Sequence, residues 1–318
     1  MAYNRRMAAG PLGVPLSRRN LLFAALWPAM AQDVTFSTDV NLVELLATVR
    51  DRNGRFVNGL TKDDFTLRED GRPQTNLHFS RQANQPLKIG LLVDTSRSQI
   101  PVLEPERQAS FTFLDQVLRA DDLAFVLHFD IRVDLLQGFT SSREALAKAF
   151  AALEIPKRGS TLLFDAVRQA SEEQMKRQSG RKAFIVLSDG GDVHSKTSIG
   201  TAIEYAQRAD TLIYSILFTA SPLRAIHPGA IGVRELYFKR GQRIMRRLAQ
   251  ETGGRYFAVS RNESISRIYQ EIEEELRNQY SIAYTSDRKD GGKGYRKISL
   301  TLADKNLTAQ TRPGYYPK

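Results

Sequence analysis

From Asp33 to about Arg81, within a unit set at residues 33–82, apolar and polar positions alternate in the way a half-buried sheet requires. Val43, Leu45, Ala47 and Val49 share one face, Asn53-Gly54 is a hairpin signal, and Phe65 to Glu69 runs into Asp70-Gly71 before another strand. Thr61-Lys62-Asp63-Asp64 between them has the form of a capped single helical turn. Fifty residues or so bury too little surface to stand alone, so this β unit needs a second piece.

The pattern changes over residues 87–279. Short apolar runs of the buried-strand kind, Leu87–Val93, Leu123–Phe129, Phe184–Ser188, Leu212–Phe218 and Tyr256–Val259, alternate with helical periodicity at Glu106–Leu118, Ala145–Leu153, Leu163–Gln178, Ile199–Arg208 and Gln242–Gln250. That alternation predicts an α/β fold: a doubly wound, mostly parallel sheet of Rossmann-like type, with ligands at the carboxyl ends of its strands. A further helix, Ile265–Asn278, leads back to strands at Tyr280–Thr285, Tyr295–Leu302 and Leu307–Thr311. Residues 280–318 therefore either complete the first unit, making a smaller β-sandwich from both flanks, or form a separate hairpin packed on the α/β body.

Composition narrows the functional classes. The 318 residues are 42% apolar and 25% charged, as in ordinary globular proteins, and no run of 18 apolar residues exists to span a membrane. With no cysteine, disulfides, thiolate metal sites and cysteine nucleophiles are excluded. Residues 1–31 read as an export signal: Arg18-Arg19 precedes the apolar stretch Leu21–Trp27, and Ala29-Met30-Ala31 is a small-x-small cleavage pattern. The arginine pair resembles the twin-arginine type, an ordinary secretory signal being the alternative; either implies a periplasmic or secreted protein. Removing this segment lowers the net charge from +11 to +7. The remaining excess is spread along the chain, so no nucleic-acid partner is expected.

The chemistry sits at strand ends. Asp94-Thr95-Ser96-Arg97-Ser98 follows the first buried strand, and alternate residues of a curled loop point the same way, so one carboxylate and two hydroxyls converge. Hard oxygens at that density suit Mg²⁺. Two more loops supply donors, Thr161 in Gly159-Ser160-Thr161 and Asp189 in Ser188-Asp189-Gly190-Gly191-Asp192.

In order and context, Asp94, Ser96, Ser98, Thr161 and Asp189 resemble the metal-ion-dependent adhesion site of von Willebrand factor A-type domains. The resemblance covers Leu87 to Gln279, and the segments Asn41–Ser80 and Tyr295–Tyr316 resemble those of exported bacterial proteins of the related group. It implies a bound Mg²⁺, with Mn²⁺ or Ca²⁺ as substitutes, touched directly by the serines and in one state by Thr161, while the aspartates act directly or through water. Two carboxylates neutralise a divalent ion and three hydroxyls add no charge. The ion then stays electrophilic enough to take an Asp or Glu carboxylate from a partner protein. No bond needs to be broken.

Other residues have plainer readings. Asp192 reads as a solvated turn acid, or as one that orients the loop or contributes to an adjacent site, His128 as a core or strand-end histidine, Asp130 as a turn residue, and His194 as an exposed loop residue or a partner contact. Arg97 reads as solvated or as an attractor of acidic partners. The stretch Phe218–Arg240, with Pro222, Pro228 and Gly229, departs from regular spacing and reads as a specificity loop or a disordered segment. Gly-x-Ser-x-Gly, the phosphate-loop signature and His-Glu-x-x-His are all missing. A Mg²⁺-assisted hydrolase would have only Asp192 or His194 as base. A passive envelope scaffold with a structural ion is the third reading.

Overall fold

Continuous apolar runs become the strands of a sheet covered on both faces, because only full burial suits a strand with no polar side. The computed structural model describes residues 42–75, 77–81, 85–157, 159–218, 228–288 and 294–317; the export signal read at 1–31 lies outside them. In chain order come β1 (Leu42–Arg50), β2 (Phe65–Glu69), β3 (Arg72–Gln74), β4 (Leu77–Arg81), β5 (Leu87–Asp94), α1 (Leu103–Val117), β6 (Leu123–Phe129), β7 (Val133–Thr140), α2 (Arg143–Ala151) and α3 (Leu163–Gln169). Then follow β8 (Arg181–Ser188), α4 (Ile199–Arg208), β9 (Thr211–Leu217), α5 (Pro228–Thr252), β10 (Tyr256–Ala258), α6 (Ile265–Arg277), β11 (Tyr280–Thr285), β12 (Arg296–Leu302), β13 (Thr308–Gln310) and β14 (Gly314–Tyr315).

The central sheet has the order β10-β9-β8-β5-β6-β7, parallel except for β7. On one face Ile89, Leu91 and Val93 pack against Phe113, Leu146 and Ile272; on the other, Leu92 joins Val167, Ile203 and Leu248. Each such side chain contributes about 1.5–3 kcal/mol on burial. Gly90 is bare because a Cβ there would stand 2.3 Å from the Phe125 ring, which with Phe184 fills the space over β5. From β5 the chain steps to β6 on one side and later to β8 on the other. The carboxyl end of β5 is thus a topological switch point, where an open α/β sheet leaves a crevice.

The flanks complete one another. β1 pairs with β11 in the sheet β13-β1-β11-β4, and β2 pairs with β12 in the sheet β14-β12-β2-β3, so the α/β body is inserted into a smaller β-sandwich. A separate C-terminal hairpin is not what forms. Leu45, Leu67, Tyr280 and Ile282 are in its core. Where sandwich and body meet, Glu275 of α6 is almost fully buried and accepts from Arg50 (2.9 Å), Tyr214 (3.0 Å), Arg255 (3.1 Å) and Gln310 (3.2 Å).

Three elements differ from expectation. β7 went unread because its residues are only partly buried and make no continuous apolar run; the short turn after β6 makes it antiparallel. Residues 228–240 are not an irregular loop but the start of α5, with Pro228 in the first turn, where its missing N–H costs nothing; residues 219–227 lie outside the described set. The helix expected over 163–178 changes to a π turn at Ala170–Met175, where Lys176 N–H reaches Ser171 O and the Ser171 hydroxyl bonds back to Val167 O.

Candidate functional site

Asp94 closes β5 and is fully buried. Its Oδ1 accepts the Ser96 N–H (2.8 Å) and its Oδ2 the Ser188 hydroxyl (2.6 Å). The loop beyond curls into a 3₁₀ turn, Arg97–Gln99, and the hydroxyls of Ser96 and Ser98 come within 3.0 Å of each other. Ser98 is exposed, so the group opens to solvent there. The intervening residues face elsewhere: Thr95 donates to Asp130 (2.9 Å) and lies 2.9 Å from His128 Nδ1, while Arg97 donates to Lys157 O (2.8 Å). Arg97 is therefore an exposed strap to the neighbouring loop. Asp130 does more than turn the chain, since it accepts Thr95 and the Arg132 N–H.

Asp189 follows β8 and accepts the Gly191 N–H (2.8 Å). Burial, and then the charge of Asp189, push the Asp94 carboxyl up to about 7. A third acid is near. Glu106 of α1 is fully buried, neither carboxyl oxygen has a hydrogen-bond partner, and burial followed by Asp94 raises it well above the usual range.

Thr161 is buried and tied by its backbone to Val193 in the loop after β8, with Val193 N–H reaching Thr161 O at 2.8 Å. Asp192 is half-buried, not a solvated turn acid: it takes the Phe164 N–H (3.1 Å) at the start of α3 and the Ser195 hydroxyl (2.6 Å). Burial raises its carboxyl. His194 is exposed with φ of 78°, and its Nδ1 lies 3.1 Å from the Ser160 hydroxyl. The Asp189 loop rests on α5 backbone to backbone: Gly190 has φ of 76°, and a Cβ on Gly241 would stand 2.1 Å from Asp189 O.

Hydrogen bonds thus gather Asp94, Ser96 and Ser98; the Ser188–Asp94 bond between neighbouring strands brings Asp189 near Asp94 against their repulsion; a backbone bridge sets Thr161 beside the loop that carries Asp189. The donors are all hard oxygens, and two repelling acids, Asp94 buried and Asp189 partly so, suit a small divalent cation. Among the described residues no three His, Asp or Glu side chains form a metal cage, so an ion here would depend on hydroxyls. Sequence reading passed over Ser188, Glu106 and Gly241. Ser188 alone carried a signal, a hydroxyl at the end of a buried strand next to the chosen aspartate.

No protein-family profile and no curated protein sequence matches the chain. Solved structures do. Proximal thread matrix protein 1 from the mussel byssus is 13% identical with a TM-score of 0.49, over 66% of this chain and 51% of that one. An aerotolerance-related membrane protein from Bacteroides fragilis is 14% identical at 0.46, over 60% and 98%. The vWF domain of the type V pili tip protein Mfa5 from Porphyromonas gingivalis is 11% identical at 0.45, over 60% and 94%. The α/β body is a doubly wound, mostly parallel sheet flanked by helices, and these structures are what it is similar to. The chain spans about half the length of the mussel protein, whose MIDAS motif is occupied by zinc in one crystal structure. In this α/β body, the Asp94 loop occupies the switch point of the sheet.

Proposed function

We propose that the protein is an exported, metal-dependent protein-binding module. Asp94, Ser96, Ser98, Thr161 and Asp189 would hold a divalent ion, Mg²⁺ first, and the ion would take an Asp or Glu carboxylate of a partner protein. When bound, the ion supplies Lewis acidity at the surface without a covalent step. The chain's own residues orient it: Ser188 and the Ser96 N–H fix the Asp94 carboxylate, and Arg97 and the Thr161–Val193 bridge hold the loops.

The observation that carries this reading is the Asp94–Ser96–Ser98 cluster, in which Asp94 Oδ1 accepts the Ser96 backbone N–H at 2.8 Å, the Ser96 and Ser98 hydroxyls lie 3.0 Å apart, and Ser98 is open to solvent. The hydrolase alternative is disfavoured because both candidate bases are engaged, Asp192 at the start of α3 and His194 with Ser160. Affinity capture from envelope extract with Mg²⁺ against a chelator tests the reading. Partners retained only with the ion support it; identical capture under both conditions rejects it, and turnover of a phosphoester would favour the enzyme.

A further inference from the structure

Eight large apolar side chains are exposed among the described residues, and five of them ring the carboxyl ends of the central strands. They are Ile100 after the Asp94 loop, Ile131 in the β6–β7 turn, Val193 after β8, and Leu236 and Tyr237 on α5, all 41–67% exposed. The sheet order puts Ile131 and Val193 on opposite sides of Asp94, because β6 and β8 flank β5. The place of the α5 pair follows from backbone contacts. Ser215 of β9 donates to Met245 O, and Gly241 meets the Asp189 loop beyond the strand ends. Leu236 and Tyr237, more than a turn further along, overhang that end of the sheet.

Scattered apolar residues on a surface need no explanation, but a group converging on one rim marks an interaction site. Exposed basic residues accompany it: Arg132 beside Ile131 and Lys196 beyond Val193. We infer that this rim recognises an extended acidic peptide segment in which the captured Asp or Glu is flanked by apolar residues. The inference rests on the metal-capture reading and adds the partner's sequence class. Adjacent strands stand about 4.8 Å apart, so β6 and β8, whose following loops carry Ile131 and Val193, are separated by roughly 10 Å across β5. An extended segment rises about 3.3 Å per residue and faces alternate side chains the same way, so the apolar residues fall about two positions to either side of the acid. Ile131 and Val193 would meet these two, and Leu236 and Tyr237 would lengthen the apolar contact on the β8 side.

The test displays random nonapeptides with a fixed central Glu to the full chain in Mg²⁺ and elutes with EDTA, beside a library with a fixed central Gln. Each aliphatic contact is worth about tenfold in affinity, so Leu, Ile, Val and Phe should be enriched about tenfold at the flanking positions. That enrichment should collapse in an Ile131→Ser/Val193→Ser variant whose melting temperature is unchanged. EDTA-eluted Glu peptides without apolar enrichment would overturn this inference and leave metal capture standing. Equal recovery from the Glu and Gln libraries would overturn both. Enrichment that survives the double variant would also overturn the assignment to this rim.

Discussion

Ser188 donates its hydroxyl hydrogen to Oδ2 of Asp94 across 2.6 Å, tying the carboxyl end of β8 to that of β5. With the Ser96 N–H on Oδ1, each oxygen of the carboxylate is fixed by one bond and keeps a lone pair for an ion. Ser188 therefore positions a ligand without being one. Outer partners of metal ligands typically matter by about 10–100-fold in affinity. Ser188→Ala should weaken Mg²⁺ binding by about tenfold in calorimetry with little change in circular dichroism, and unchanged affinity would show that Asp94 is oriented by other means.

The pH dependence has opposite signs with and without metal. Burial, and then the charge of Asp189, push the Asp94 carboxyl from its ordinary 3.8 up to about 7, so between those values the folded state keeps a proton that the unfolded state has lost. Without metal, stability should fall as pH rises through that window, and Glu106 adds to the fall with the same sign. An ion needs the ionised carboxylate, so its apparent affinity should rise by at most about tenfold per pH unit up to about pH 7, then level off. Melting curves in EDTA and in Mg²⁺ across this range check both trends. Glu106→Gln should raise the metal-free melting temperature at neutral pH.

Gly241 sits within α5, where alanine is ordinarily better than glycine by about 1 kcal/mol. Here the sign reverses, because the new Cβ would stand 2.1 Å from Asp189 O. Gly241→Ala should destabilise by about 1–3 kcal/mol in denaturant titration and should weaken metal binding by displacing the Asp189 loop. A more stable variant would mean that the loop yields freely.

Glu275 anchors the last turn of α6 through four donors, Arg50 on β1, Tyr214 on β9, Gln310 on β13 and Arg255 just before β10. Removing one partner of a buried ion pair costs about 3–5 kcal/mol. Glu275→Ala should lower stability by that order in urea titration, since it leaves Arg50 and Arg255 beside the gap. A loss below about 1 kcal/mol would show that solvent already reaches this joint.

The sequence showed the parts of the molecule that repeat a single physical demand. β5 is buried on both faces beyond Lys88, so Ile89–Val93 is apolar throughout; β1 is buried on one, so Val43 to Val49 alternate. The Asp94 loop was legible because a short segment carries its own donors in alternation, with Thr95 and Arg97 facing away as that alternation demands. What escaped depends on distant residues. β7 is partly exposed, α5 begins at a proline that reads locally as a breaker, and Gly241 matters only through a loop about fifty residues earlier in the chain. Glu106 looks like an ordinary helix-surface acid until α1 is docked against the body.

The central claim is that these oxygens bind a divalent cation, and titration calorimetry of Mg²⁺ into chelator-stripped protein tests it most directly. Uptake of a single ion per chain is expected, abolished by Asp94→Ala and by Asp189→Ala while both variants keep the far-ultraviolet circular dichroism of the parent. No uptake by the parent, or undiminished uptake by both variants, would contradict it.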